Sequence, residues 1–105
     1  MPTFGGTIAE ARKRAGMTQK ELAAKVKKED GTPISPQYLN DIEHDRRGAP
    51  PDFLLKQLAK ILDLDPDLLA FRAGRLPENL IDHRADPTQV AAAFKAFRTK
   101  IGRGS

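Results

Sequence analysis

Within eleven residues, from Gln37 to Arg47, the chain sets two amides, a phenol, a carboxylate and two guanidinium groups: Gln37, Tyr38, Asn40, Asp41, Arg46 and Arg47. An amide at Gln37 or Asn40 can donate to and accept from an adenine edge in one bidentate pair, worth roughly 1–3 kcal/mol of discrimination. The Asp41 carboxylate can accept from a cytosine amino group, or it can neutralise Arg46 or Arg47, which is the preferred reading. Arg46 and Arg47 suit phosphate, and the Tyr38 hydroxyl can donate to one. Pro36 lacks an N–H, but its ring can meet a thymine methyl. Lys20 lies at the start of a capped segment, where helix N–H groups attract anions. Each group also has a plainer reading. The amides suit a solvated helix face, the arginines an exposed basic corner, and Tyr38 packing under a loop.

Other chemistry finds little support. His44 and His83 are far apart and have no Cys or carboxylate at ligand spacing, so no metal site is expected. The chain has no cysteine, which excludes disulfide and thiol chemistry. GRGS near the end has no strand before it and no helix after it, so it is not a phosphate loop. No Ser/His/Asp arrangement carries a local signature. No catalytic residue, enzyme activity or cofactor is expected.

The candidate groups need elements to aim them. Thr18 with Glu21 three residues on is a capping box, opening a helix over about Gln19 to Lys27. Ser35 then Pro36 is a cap followed by proline at the first helical position, opening a helix to about His44. KKEDGTP between them reads as a loop. Two capped helices with a basic exit are the layout of a helix-turn-helix DNA reader. Around them, Met1 to Gly6 is expected to fray, and Thr7 to cap a helix to about Ala15 with Ile8, Ala11 and Ala15 on one face. Met17 can staple to Leu22, and Leu39 and Ile42 point inward. A fourth helix starts near Pro51 or Asp52 with a stripe of Phe53, Leu54, Leu58, Ile61 and Leu62. A fifth, capped by Asp65 and Pro66, holds Leu68, Leu69 and Phe71 and stops near Gly74. A turn from Pro77 to Ile81 is followed by a last helix after Asp86 and Pro87, carrying Val90, Ala91, Phe94, Phe97 and Ile101. No convincing strand is found, so the fold class is all-α.

At 105 residues the chain is one domain's worth, and a partner subunit would help so small a core. The net charge of +4 permits a nucleic-acid partner without demanding one. From Pro87 onward there are four Lys/Arg and no acid, so positive charge gathers at the end as well as in the first half. No apolar run reaches the length of a membrane span and no signal-peptide core is visible. A cytoplasmic, nucleoid-associated protein with no membrane partner is expected.

RKRAG from Arg12 to Gly16, then MTQKELA, SPQYLNDIEHDRRG and LLKQLAKILDLDPDLL, resemble the lambda-repressor-like helix-turn-helix family, the XRE/Cro class, over roughly Thr7 to Ala73. The resemblance implies a compact five-helix domain, residues 1–74, whose second and third helices read DNA. It also implies a dimeric transcriptional regulator on a palindromic operator. Carried over, Gln19 lies near phosphate, and Pro36, Gln37, Asn40 and Asp41 take the base-facing side of the third helix. Arg12 and Glu43 take positions that pair as an internal salt bridge. The departure is the loop 27–34. It is about six residues longer than the usual 3–4-residue turn, at little cost in closure entropy, and its charges favour a solvated loop over phosphate contact by Lys27 and Lys28.

Residues 75–105 form an extension beyond the shared domain. Its apolar stripe must be covered, and Phe94, Phe97 and Ile101 are the expected dimer or partner contact. The expected function is a sequence-specific repressor binding double-stranded DNA as a homodimer through the helix near 36–44. Two alternatives stand beside it. One is an antitoxin or adaptor that binds a partner protein, a toxin or another regulator, and uses DNA for autoregulation. The other is a scaffold that has lost DNA binding, an option Asp41 and the long loop keep open.

Overall fold

A computed structural model describes residues 3–75 and 86–101, with the side chain of Ile101 outside that set. Six helices follow in order: α1 (Phe4–Arg14), α2 (Gln19–Lys25), α3 (Pro36–Glu43), α4 (Asp52–Leu62), α5 (Pro66–Arg72) and α6 (Pro87–Ile101). The protein is all-α. Among the described residues there is no regular strand, and the one antiparallel bridge joins Lys27 and Pro33. No described helix is long and apolar enough to cross a membrane.

Helix starts follow their caps. The Thr18 side chain accepts from the Glu21 N–H, while the Glu21 carboxylate accepts from the Thr18 N–H, so two orphan donors are satisfied together. Ser35 accepts from the Tyr38 N–H with Pro36 at the first helical position, and Asp65 accepts from the Asp67 N–H ahead of Pro66. At the end of α1, Gly16 takes a left-handed conformation (φ 74°), and the Met17 N–H reaches back to the Arg12 carbonyl. That bond closes the helix and turns the chain toward α2.

The core gathers Ile8 and Ala11 of α1, Leu22 and Ala23 of α2, Leu39 and Ile42 of α3, and Leu54, Leu55, Leu58, Ala59 and Leu62 of α4, with Leu69 of α5 below. Two departures from the expected stripes concern α4 and α5. Leu55 and Ala59 are fully inside, whereas Phe53 and Ile61 are only partly covered. On α5, Leu69 and Ala70 face the core, and Leu68 and Phe71 stand in solvent at 39% and 48% exposure.

The first helix begins earlier than Thr7. Thr3 caps it by accepting from the Gly6 N–H, and Phe4 is buried. Asp45, just past α3, accepts from the Thr3 hydroxyl at 2.6 Å and from the Gly5 N–H at 2.9 Å. The segment from Thr3 to Gly6 is therefore held by α3, not frayed. Gly5 permits the approach. A Cβ there would overlap the Ile42 carbonyl oxygen and stand 2.6 Å from that of Glu43.

The second helix ends at Lys25, and the loop after it is a small hairpin whose residues 27–33 are all exposed to solvent, as its charges suggested. Val26 and Ile34 are both buried, with the Ile34 N–H donating to the Val26 carbonyl, so the hairpin's base is part of the core. The Lys28 N–H donates to the Thr32 carbonyl, Gly31 turns at φ 87°, and the Asp30 carboxylate accepts from the N–H and hydroxyl of Thr32. This is a three-residue hairpin turn with glycine in the left-handed position. Gln57 of α4 holds the near strand, its amide oxygen accepting from the Lys27 N–H at 2.8 Å and its amide nitrogen donating to the Lys27 carbonyl at 2.7 Å. A side-chain amide here takes the place of a neighbouring strand.

The turn expected from Pro77 to Ile81 lies outside the described residues. Arg75, at the edge of the described part, donates to Asp52 and to the Ala49 carbonyl, so its head group is tied to the start of α4. Beyond it, α6 is exposed along its described side chains. Its ring contact with the rest is Phe97 edge-on to Phe71 at 5.6 Å.

Candidate nucleic-acid interface

The interface is organised from a buried ion pair outward. Arg12 on α1 meets Glu43 on α3 in a two-pronged pair, Nε to Oε2 at 2.7 Å and Nη2 to Oε1 at 3.0 Å, with side chains 11% and 2% exposed. The third Arg12 donor, Nη1, goes to the Met17 carbonyl. The hydrogen bond that Arg12 donates to Glu43 raises the Arg12 pKa, and the charge of Glu43 adds to it, against the opposing effect of burial. A buried charge kept in this way is paired on every side, as its desolvation requires.

Gln19, first residue of α2, completes the shell of Glu43 by donating Nε2 to Oε1 at 2.9 Å. A carboxylate can only accept, so this contact orients the Gln19 amide. Its oxygen is left to accept from Asn40 Nδ2 at 3.2 Å. Asn40 in turn presents its oxygen outward, where Arg46 Nη1 donates to it at 2.9 Å. One chain of hydrogen bonds thus runs from the buried pair, through Gln19, to the exposed side of α3, and it orients the Asn40 amide on the way. Gln19 was expected near phosphate; it stands half-buried in the α2–α3 seam with both ends of its amide engaged.

Asp41, one residue on, is a second hub. Its carboxylate accepts from Gln37 Nε2 at 3.0 Å and pairs with Arg46 at 3.3 Å and Arg47 at 3.5 Å. The arginine side chains are 56% and 58% exposed against 18% for Asp41. Burial opposes the charge on Asp41, but the hydrogen bonds from Arg46, Gln37 and Arg47 outweigh it and hold the carboxyl below the usual carboxylate range. Arg47 also lies over the Tyr38 ring, 5.1 Å from its centroid. Tyr38 packs partly against the core and lines a groove of about 610 Å³ with Lys28 of the hairpin and Phe53 of α4.

The structure therefore brings Gln19, Gln37, Asn40, Asp41, Arg46 and Arg47 into one connected surface around α3, with exposed Pro36 at its start. Lys20 is exposed on α2, apart from these bonds. Phe94 and Phe97 lie at the other end of the chain, on α6, and the Ile101 side chain is outside the described residues. Two partners escaped the sequence reading. Asp45 carries no signal that it holds α1. Gln57 sits half-buried on α4, thirty residues from the backbone it grips. The hairpin itself had a signal in Asp30-Gly31 between the apolar Val26 and Ile34. Among the described residues no group of three His, Cys, Asp or Glu is placed to hold a metal ion.

The helix-turn-helix family HTH_3 matches residues 8–69. Among solved structures, a chain of the SinR protein/SinI protein complex superposes with a TM-score of 0.54 at 22% identity, over 96% of this chain and 84% of that one. No curated protein sequence matches.

Proposed function

The chain belongs to the XRE-type helix-turn-helix family of DNA-binding transcriptional regulators, and from that premise we propose that it is a repressor reading a short inverted repeat as a homodimer. The observation that carries this reading is the oriented surface on α3. A buried ion pair sets Gln19, Gln19 sets Asn40, and two exposed arginines stand at the exit of the same helix. In the proposed complex α3 enters the major groove. Pro36, Gln37, Asn40 and Asp41 face the bases, while Arg46, Arg47, Tyr38 and Lys20 reach phosphates. Gln19 would support α3 and touch phosphate only through its rim. Two subunits would set their reading helices about 34–36 Å apart, one turn of DNA. The apolar stripe of α6, with Phe94, Phe97 and Ile101, would supply the dimer contact. Such a protein acts where the genome is, in the cytoplasm.

A gel shift with the DNA upstream of its own gene tests the reading. Gln37→Ala should relax preference at one base position by about 1–3 kcal/mol. Arg46→Ala should weaken operator binding and lower its salt slope by about 1. A wild-type protein that shifts no DNA at low salt would overturn it.

A second reading, an antitoxin or adaptor, draws on the exposed Leu68, Phe71, Phe94 and Phe97, and on a structural neighbour solved as a complex of SinR protein with SinI protein. In that reading the partner protein covers α6. An adjacent small toxin gene would favour it over a plain regulator.

A further inference from the structure

We propose that Asp41 couples phosphate binding to base identity, so that Arg46 and Arg47 are released to the DNA backbone only where a cytosine amino group takes their place on the Asp41 carboxylate. The proposal rests on the DNA-binding reading above.

In the free protein one carboxylate engages three of the groups with which α3 would meet DNA. It accepts from Gln37, and it pairs with both Arg46 and Arg47. Arg46 is shared further with the Asn40 oxygen. Asp41 thus does internally what a phosphate oxygen does in a complex: it offers an anion to the two guanidiniums. An arginine that moves to phosphate leaves this anion behind, and the move carries the carboxylate toward a polyanion. Non-specific binding, which depends on such phosphate contacts, is opposed in two ways at once. The arginines have a competing partner, and the partly exposed carboxylate repels the duplex.

The opposition is lifted only by a donor on a base edge. In the major groove, guanine presents N7 and O6 and thymine presents O4, all acceptors, which a carboxylate cannot use. Cytosine presents the N4 amino group. Adenine also has an amino group, but its adjacent N7 acceptor suits the Gln37 amide better than an acid. A cytosine opposite Asp41 therefore replaces the lost arginine pairing, frees Gln37 for its own base and leaves Arg46 and Arg47 on the backbone. The specificity ratio, not affinity alone, is what this arrangement improves.

The test uses the full chain with Asp41→Asn, which keeps the shape and removes the charge. Asp41→Ser is a second variant that lacks the amide, and circular dichroism reports that each is folded. On mixed-sequence DNA both variants should bind about tenfold more tightly than wild type, with a salt slope steeper by about 1 to 2. In selection from a random duplex library, wild type should enrich one cytosine per half-site that both variants lose. Variants that bind mixed DNA no better than wild type, or a cytosine preference that survives both, would overturn the coupling. If Arg46→Ala still weakens wild-type binding in that case, the DNA reading stands without it. If neither wild type nor variants bind any duplex at low salt, the reading beneath it has failed as well.

Discussion

Gly5 is where α1 meets the end of α3 backbone to backbone. Its N–H donates to Asp45, and a methyl at its Cα position would run into two carbonyl oxygens that belong to the helix itself. Helix propensity favours alanine over glycine by about 1 kcal/mol, so the two effects have opposite signs. The overlap involves backbone, which cannot swing aside, and overpacking of this kind costs about 1–3 kcal/mol or more. Gly5→Ala is therefore expected to lower the stability by about 2 kcal/mol net, roughly 10 °C in Tm for a domain of this size. Gly6→Ala, where a Cβ meets only the Thr3 hydroxyl at 3.2 Å, should change Tm far less. A Gly5→Ala protein that melts higher than wild type would mean that α1 can lift away from α3. The sequence suggested that Met1 to Gly6 would fray. What decided the matter was a contact with Asp45, forty residues away, which local pattern cannot show.

At the scale of elements, the pieces legible in the sequence are those whose causes are local. The capping box at Thr18 and Glu21, the Ser35-Pro36 start and the Asp65-Pro66 start are each written within three residues, and α2, α3 and α5 begin there. The hairpin between α2 and α3 is different. Its turn chemistry is local, but its docking depends on Val26 and Ile34 entering the core and on Gln57 reaching across from α4. The charges of KKED suggested a solvated loop, and residues 27–33 are exposed; what they could not show is that Val26 and Ile34 anchor the hairpin's base in the core. Gln57→Ala should separate these contributions. It removes two backbone contacts, worth about 1 kcal/mol each at most since Lys27 is exposed and can turn to water. Global stability should fall by about 1–2 kcal/mol. Hydrogen exchange should show the sharper effect, with the Lys27 amide losing its protection while the amides of α1 keep theirs. Unchanged protection at Lys27 would mean that the core, not Gln57, holds the strand.

For the whole molecule, the open question of packing is α6. Fifteen residues of isolated helix are marginal in water, and most helical stability in proteins comes from burying an apolar face. Yet Val90, Phe94 and Phe97 remain 39%, 38% and 43% exposed, and Phe71 and Leu68 of α5 are no better covered. The edge-on contact between Phe97 and Phe71 is too small to hold such a helix. We expect a second copy to complete the surface, since the proposed reading of an inverted repeat needs two-fold symmetry in any case. Phe94→Ser with Phe97→Ser in the full chain tests this by sedimentation. Burying the exposed part of each ring is worth about 1 kcal/mol, a fraction of the value for a whole side chain. Four rings are lost per dimer, so the dimer Kd should rise about a thousandfold, and operator affinity should fall with it. The single domain should still fold, because neither ring belongs to the core of α1 to α5. A double variant with the wild-type mass in solution would remove α6 as the dimer contact and leave its apolar stripe to a different protein partner.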